Sequence, residues 1–265
     1  MEELDVTRAG RHQATAYLEG TPLDLMEQEF APQTVDDAYE VQRSYIEHLT
    51  ASRGSLGGFK IAYTSAVMRE SRGVSEPCTG RIFNAEIANS PATLSAADYA
   101  SLAIECEVGV RLASHVTPEG APYTRGSIAP HVASLVTAFE VVDQRPSGAR
   151  QGADPAISGI VGNISCAGAV VGSEVSDWQL IDLAASRGTM WINGEQVGEG
   201  LGSDVMGHPL EALVWLANNL AVRGESMPAG ALVITGSIIP PTPLKAGDVA
   251  TISIEGLGAA QITVT

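Results

Sequence analysis

An α+β fold is what this sequence predicts, with a small mixed helix-and-strand region over residues 1–90 and a larger strand-rich region over residues 91–265. Three observations carry that expectation. A well-bounded helical pattern lies early, at Thr34 to Arg53; alternating apolar and polar runs dominate beyond Asp98; and one long helical pattern, Pro209 to Arg223, interrupts them. With 265 residues, 45% of them hydrophobic, the chain can bury a sizeable core, in one large domain or in a small one joined to a larger one.

In the first region Thr34 reads as a helix N-cap and Asp37 completes an approximate capping box. The apolar stripe Ala38, Val41, Tyr45, Ile46 and Leu49 follows, and Gly54, Gly57 and Gly58 end the helix. The run Phe59-Lys60-Ile61-Ala62-Tyr63 then alternates, with Lys60 on the face opposite Phe59, Ile61 and Tyr63. Either the Lys60 stem snorkels its charge to water, or a desolvated Lys60 binds an anion or moves a proton. A helical turn, Ser65 to Arg72, and a loop, Gly73 to Pro77, come next. Asn89 to Asp98, containing Pro91 and several small residues, reads as the connection between the two regions.

The second region is organised around Ile104-Glu105-Cys106-Glu107-Val108. Leu102, Ile104, Cys106, Val108, Val110 and Leu112 fall on one side of a strand, and Glu105 and Glu107 on the other. Residues i and i+2 are about 6.5–7 Å apart along a strand, so two carboxylates there can converge on one hard divalent cation. A polar strand face open to water is the alternative. Leu135 to Asp143 reads as another strand, in which Glu140 interrupts the apolar row Val136, Ala138 and Val142. A charge in such a row needs a metal, a hydrogen bond or an ion pair. Glu140 is therefore either a third carboxylate ligand or the partner of an arginine such as Arg145 or Arg111.

Tyr123 to Pro130 is loop-like, and Val161 to Gly168 is rich in small polar residues. Within the latter, Asn163 and Ser165 either bond substrate and water or make local turn contacts. Asn193-Gly194 marks a type I′ hairpin turn between Met190 and Val197. Pro209 suits the first turn of the following helix and Gly224 its end, with His208 ahead of it as a loop or cap residue or a ligand contact. Strand patterns at Leu232 to Thr235, Val249 to Glu255 and Gln261 to Val264 close the chain, the first two separated by a loop holding Pro240, Pro241 and Pro243.

Fifteen basic against thirty-one acidic residues give a net charge of −16, which argues against nucleic acid and anionic membrane surfaces as partners. Met1 to Gln13 has no apolar core of the secretory kind, and no 18-residue apolar run is present. Cys78, Cys106 and Cys166 are too few and dispersed for a disulfide framework or zinc site, so a reducing cytoplasm is expected.

The chain also carries an ordered set of short motifs. They are Gly58-Phe59-Lys60-Ile61 with Thr64-Ser65, Glu105-x-Glu107, Glu140-Val141-Val142-Asp143-x-Arg145 and Asn163-x-Ser165. Gly207-His208-Pro209 with Trp215 to Asn218, Thr235-Gly236-Ser237 and Lys245-x-Gly247-Asp248 complete it. In this order the chain resembles the 2-keto-4-pentenoate hydratases and 4-oxalocrotonate decarboxylases of the fumarylacetoacetate hydrolase superfamily, from the Thr34 helix to the C-terminus. The resemblance implies a twisted, β-rich fumarylacetoacetase-like fold and a homo-oligomer, able to associate with a partner enzyme of the same pathway. It implies one Mg²⁺ or Mn²⁺ on Glu105, Glu107 and Glu140, and a small 2-oxo or 2-hydroxydienoic acid as substrate.

The activity it implies is hydration of a 2-hydroxy-2,4-dienoate to a 4-hydroxy-2-oxo acid in aromatic-compound catabolism. Decarboxylation of a 4-oxalocrotonate-type acid is the alternative, followed by C–C bond hydrolysis and by a non-catalytic partner subunit. Lys60, Ser165 and Glu76 are then the expected catalytic groups, and Asn163, Ser237 and Lys60 the substrate-binding ones. Two positions depart from the family pattern: Ser75 stands where an acid is usual, with Glu76 one place later, and Gly162 precedes the loop asparagine where an acid is also usual. No histidine lies between Lys60 and Glu107 to form the water-activating pair of the hydrolases, which ranks hydrolysis third. Arg69, Arg72 and Arg81 are expected at the surface or on a distal substrate carboxylate.

Overall fold

The computed structural model describes residues 1–21, 30–144 and 154–265. Two helices come first, α1 (Glu3–Glu19) and α2 (Val35–Arg53). The capping box of α2 forms as expected: Asp37 N–H donates to Thr34 Oγ1 at 3.1 Å and Thr34 N–H to the Asp37 carboxylate at 3.2 Å. No pattern announced α1, because its buried face consists of Ala9, Gly10, Gln13, Ala14 and Ala16, too small and mixed to make an apolar stripe. Those small residues let it pack closely: a Cβ on Gly10 would lie 2.4 Å from Ser44 Oγ of α2.

The chain then runs through β1 (Leu56–Ala62), α3 (Ala66–Arg72), β2 (Cys78–Phe83), β3 (Ile87–Asn89) and β4 (Ala92–Leu94). It continues with β5 (Leu102–Leu112), α4 (Arg125–Ile128), β6 (Val132–Asp143), α5 (Pro155–Val161) and β7 (Cys166–Val171). The hairpin β8 (Arg187–Ile192) and β9 (Glu195–Leu201), helix α6 (Pro209–Val222), and strands β10 (Leu232–Pro243), β11 (Val249–Ile254) and β12 (Gly258–Val264) complete it. Asn193 and Gly194 join β8 to β9 with φ of +54° and +84°, as a type I′ turn requires.

Seven strands form one sheet in the order β2-β1-β10-β5-β6-β7-β3, and five form another in the order β4-β12-β11-β8-β9. The sheets pack face to face through Ile104, Cys106, Val108 and Phe139 of the first and Met190, Ile252 and Ile262 of the second. Strands β1 and β2 belong to the same hydrogen-bonded sheet as β5 and β6, β1 lying parallel to β10 with Phe59 opposite Val233. The division expected at residue 90 is thus crossed by a sheet that draws strands from both sides.

Strand β10 runs through the prolines that were expected to form a loop. The register shift between Ile239 and Thr242 takes Pro240 and Pro241 out of the ladder, which resumes with Thr242 opposite Ile104 and Pro243 opposite Ala103. The large sheet is also strongly curled. Asn163, just ahead of β7, hydrogen-bonds Arg81 in β2 at the opposite edge, so the two ends of the sheet approach and enclose a concave face. Among the described residues no helix is long and apolar enough to cross a membrane.

Candidate metal centre

Alternation along β5 sends Cys106 into the core between the sheets and turns Glu105 and Glu107 onto the concave face. Antiparallel pairing then fixes the third carboxylate, because Glu140 of β6 stands directly opposite Glu105. One oxygen from each of Glu105, Glu107 and Glu140 lies within 4.8 Å of the others. Glu107 and Glu140 are 0% exposed and Glu105 keeps some accessible surface, so the cluster is open on one side only. This excludes the solvated strand face.

The partner of Glu140 is Lys60, whose Nζ lies 3.0 Å from Glu140 Oε1. Lys60 is 3% exposed, so its charge does not snorkel to water. Burial works against its ammonium, but Glu140, Glu105 and Glu107 outweigh it and hold the group protonated above the ordinary lysine range. Of the arginines expected beside Glu140, Arg111 instead pairs with Glu174 and the Gly230 carbonyl, and Arg145 lies outside the described residues.

Glu107 Oε2 accepts the Gly236 N–H at 2.6 Å. Glu107 Oε1 and both oxygens of Glu140 are buried without a directed hydrogen bond, the Lys60 contact being an ion pair of poor alignment. Burial pushes Glu105 up to about 8, helped by the Glu140 charge, and raises Glu107 well above the usual carboxylate range. One ammonium cannot balance three buried carboxylates, and orphaned carboxylate oxygens facing one another are an all-oxygen donor set. The residues therefore fit a hard divalent cation.

Backbone of positive φ recurs in the segments that carry these groups or follow them. Tyr63 has a φ of +59°, Asn163, Ile164 and Ser165 have +52°, +48° and +58°, and Gly236 has +113°. Gly236 is required twice over: its N–H orients Glu107, and a Cβ there would lie 2.2 Å from Thr64 Oγ1. The flanking Ser237 was singled out from sequence, yet its hydroxyl donates to the Ile239 carbonyl. Asn163 is likewise occupied: its Oδ1 accepts the Arg81 N–H at 2.7 Å and its Nδ2 donates to the Arg81 carbonyl at 2.8 Å. Its side chain bridges the two ends of the curled sheet through both bonds.

Ser165 is half-buried, and its hydroxyl meets no partner among the described residues. Glu76 lies exposed on the loop before β2, where Pro77 leads the chain into the strand, and its charge is felt at Cys78. The structure does not bring Glu76 into the buried cluster. His208 is the N-cap of α6, its Nδ1 accepting the Leu210 N–H at 3.0 Å. Of the three arginines, Arg72 is exposed, Arg69 donates to the Tyr63 and Thr64 carbonyls at 2.9 Å each, and Arg81 is buried against Phe59 and paired with Glu225 at 2.6 Å.

Residues 60–265 match the family model described as fumarylacetoacetate (FAA) hydrolase C-terminal. A 2-hydroxyhexa-2,4-dienoate hydratase of Comamonas testosteroni is 32% identical over 234 residues, 88% of this chain and 87% of the relative. A 2-keto-4-pentenoate hydratase of Paraburkholderia xenovorans (strain LB400) is 28% identical over 91% of this chain and 88% of its own length. Among solved structures, 4-oxalocrotonate decarboxylase from Pseudomonas putida G7, complexed with magnesium and adipate, superposes with a TM-score of 0.90 at 28% identity, covering 100% of this chain and 99% of that one.

Proposed function

Because the chain belongs to the fumarylacetoacetate hydrolase family, we propose that it is a divalent-metal-dependent lyase that hydrates a 2-hydroxy-2,4-dienoate to a 4-hydroxy-2-oxo acid in the breakdown of aromatic compounds. The carrying observation is the trio Glu105, Glu107 and Glu140 on the concave face, with orphaned oxygens and Lys60 beside it. These three residues would hold Mg²⁺, the ion in the magnesium complex of the decarboxylase, or Mn²⁺. When bound, the cation supplies an electrophile for the substrate's C1 carboxylate and C2 oxygen.

The chain's own groups supply the rest. Ketonisation moves the C2 hydroxyl proton to C5 and leaves a conjugated 2-oxo-3-enoate; hydration then places hydroxide on C4 and a proton on C3. Lys60, kept as an ammonium, is suited to orienting the substrate carboxylate. The Ser165 hydroxyl, without a partner among the described residues, is suited to holding water, and exposed Glu76 to exchanging protons with solvent. The buried thiols Cys78, Cys106 and Cys166 support a cytoplasmic location. A homo-oligomer, able to associate with a pathway partner, completes the reading on the strength of the family resemblance.

Incubation with Mg²⁺ and 2-hydroxypenta-2,4-dienoate, and separately with 4-oxalocrotonate, tests this while substrate absorbance and CO₂ are followed. Loss of the dienoate without CO₂ is the expected result, abolished in Glu105→Ala. CO₂ from 4-oxalocrotonate with an inert dienoate would replace hydration by decarboxylation, which the superposition over the whole chain favours as the second reading.

A further inference from the structure

Gln42 of α2 is 2% exposed, and both donors of its amide are used. Its Nε2 donates to the Thr79 carbonyl of β2 at 2.9 Å and to the Ile160 carbonyl of α5 at 2.8 Å. Only the amino end of an amide can serve two carbonyls. One side chain of α2 thereby ties together a strand and a helix that lie 37 and 118 residues further along the chain. Strand β2 ends the seven-stranded sheet, so its outward backbone groups have no neighbouring strand to bond. Side chains take that place: Tyr39 Oη accepts the Thr79 N–H at 3.2 Å, Gln42 serves the Thr79 carbonyl, and Asn163 serves both groups of Arg81.

These contacts converge on Lys60. Thr79 Oγ1 donates to the Lys60 carbonyl at 3.0 Å, and Gly80 stands opposite Lys60 in the ladder between β1 and β2. A Cβ on Gly80 would lie 2.8 Å from the Asn163 carbonyl oxygen and 3.0 Å from Lys60 Cγ. The lysine stem and the Asn163 backbone therefore share the space over that glycine. Gln42 holds both surfaces against which the stem lies, β2 through Thr79 and the segment leading to Asn163 through Ile160. The tip of Lys60 has no comparable hold, because its Nζ makes the ion pair with Glu140 and no directed hydrogen bond. An ammonium that is not locked at its tip is aimed by whatever fixes its stem.

Resting on the role given to Lys60 under the proposed function, we propose that Gln42 is a positioning residue that aims the Lys60 ammonium at the substrate carboxylate by tying α5 to β2. Gln42→Met keeps the length of the side chain and loses both bonds. A double-mutant cycle on the Mg²⁺-loaded protein tests the assignment. Calorimetry titrates 2-oxopentanoate into wild type, Gln42→Met, Lys60→Met and the double variant, each below its melting temperature. This acid carries the C1 carboxylate and C2 oxygen without the diene, so it reads Lys60 without turnover. Gln42→Met is expected to lose about fivefold in affinity when Lys60 is present and less than about 1.5-fold in the Lys60→Met background. A merely structural glutamine would lower the melting temperature and leave the two losses equal. Equal losses in both backgrounds, or none in either, would overturn the assignment. Thr79→Val, which removes the hydroxyl that donates to the Lys60 carbonyl, should repeat the pattern, with Thr79→Ser restoring wild-type affinity. That pair decides the matter if Gln42→Met does not fold. A Lys60-dependent loss in a protein that leaves the dienoate unconsumed would sink the hydration reading and leave Gln42 in place.

Discussion

Lys60 Nζ and Glu140 Oε1 lie 3.0 Å apart although two strands, β10 and β5, separate β1 from β6 in the sheet. Only the curl of that sheet lets one side chain cross the concave face to the other. The pair gives the carboxylates unequal roles in the metal-free protein. Glu140 compensates a buried ammonium, whereas Glu105, pushed up to about 8 by burial and by the Glu140 charge, keeps its proton in the crowded site.

Glu140→Gln is therefore expected to lower metal-free stability by about 3 kcal/mol, since Lys60 loses its nearest counter-charge in a buried setting. Glu105→Gln is expected to stay within about 1 kcal/mol of wild type, because the neutral amide replaces a carboxyl that keeps its proton up to about 8 in the metal-free protein. Both variants should lose the Mg²⁺-dependent rise in melting temperature, worth about 2.7 kcal/mol in wild type at a hundredfold excess over Kd. Urea titrations with and without Mg²⁺ measure all three quantities. Retention of the full Mg²⁺ effect by either variant would remove that carboxylate from the metal site.

The raised Glu105 sets a pH dependence of definite sign. Its folded-state value of about 8 lies above the ordinary carboxylate value of 4.5, so the native protein holds a proton that the unfolded chain has already released in that window. Metal-free stability should consequently fall as pH rises from about 4.5 to about 8. Saturating Mg²⁺ should flatten this decline, and metal binding near pH 7 should release protons. Melting curves across the window, together with calorimetry in buffers of different ionisation enthalpy, measure both effects. A metal-free protein whose stability climbs steadily to pH 8 would contradict the charge arrangement.

Lys60→Met separates metal binding from chemistry. The three carboxylates remain, with one counter-charge fewer, so the Mg²⁺ effect on melting should persist or grow. Turnover of 2-hydroxypenta-2,4-dienoate should fall by about 10²-fold or more if the ammonium orients the substrate or carries its proton. A variant that binds Mg²⁺ and turns over within about threefold of wild type would reduce Lys60 to a structural counter-ion.

The parts of this molecule legible in sequence are those set by short-range periodicity. Thr34 with Asp37, Asn193 with Gly194 and the alternation through Glu105 and Glu107 each follow from local backbone geometry, and the structure keeps all three. Glu140 was legible as an anomaly in an apolar row, but its pairing with Lys60 was not, because seventy-nine intervening residues must fold before the two meet. Arg81 was hidden for the same reason: its counter-ion Glu225 follows α6, far along the chain. Strand β10 defeated the rule that prolines end strands, since the register shift between Ile239 and Thr242 spans Pro240 and Pro241. Gly236 carries a glycine's usual signal, but the role of its N–H is not local, because its acceptor Glu107 arrives from β5.

Asn163 now calls for a different test from the one its sequence position suggested. Its amide forms two hydrogen bonds with the backbone of Arg81 and closes the curled sheet, at 2.7 and 2.8 Å in a 6% exposed environment. Asn163→Ala would leave a buried N–H and a buried carbonyl of β2 without partners, at a cost of about 2–4 kcal/mol. It also removes a side chain suited to the left-handed backbone at this position. Asn163→Asp keeps the acceptor and loses the donor, so it should fall between alanine and wild type in stability. If Asn163 instead bound substrate, the alanine variant would melt like wild type and show a raised KM. Denaturant unfolding of both variants beside their KM values decides between the two, and a fall in stability that precedes any change in KM is the expected order.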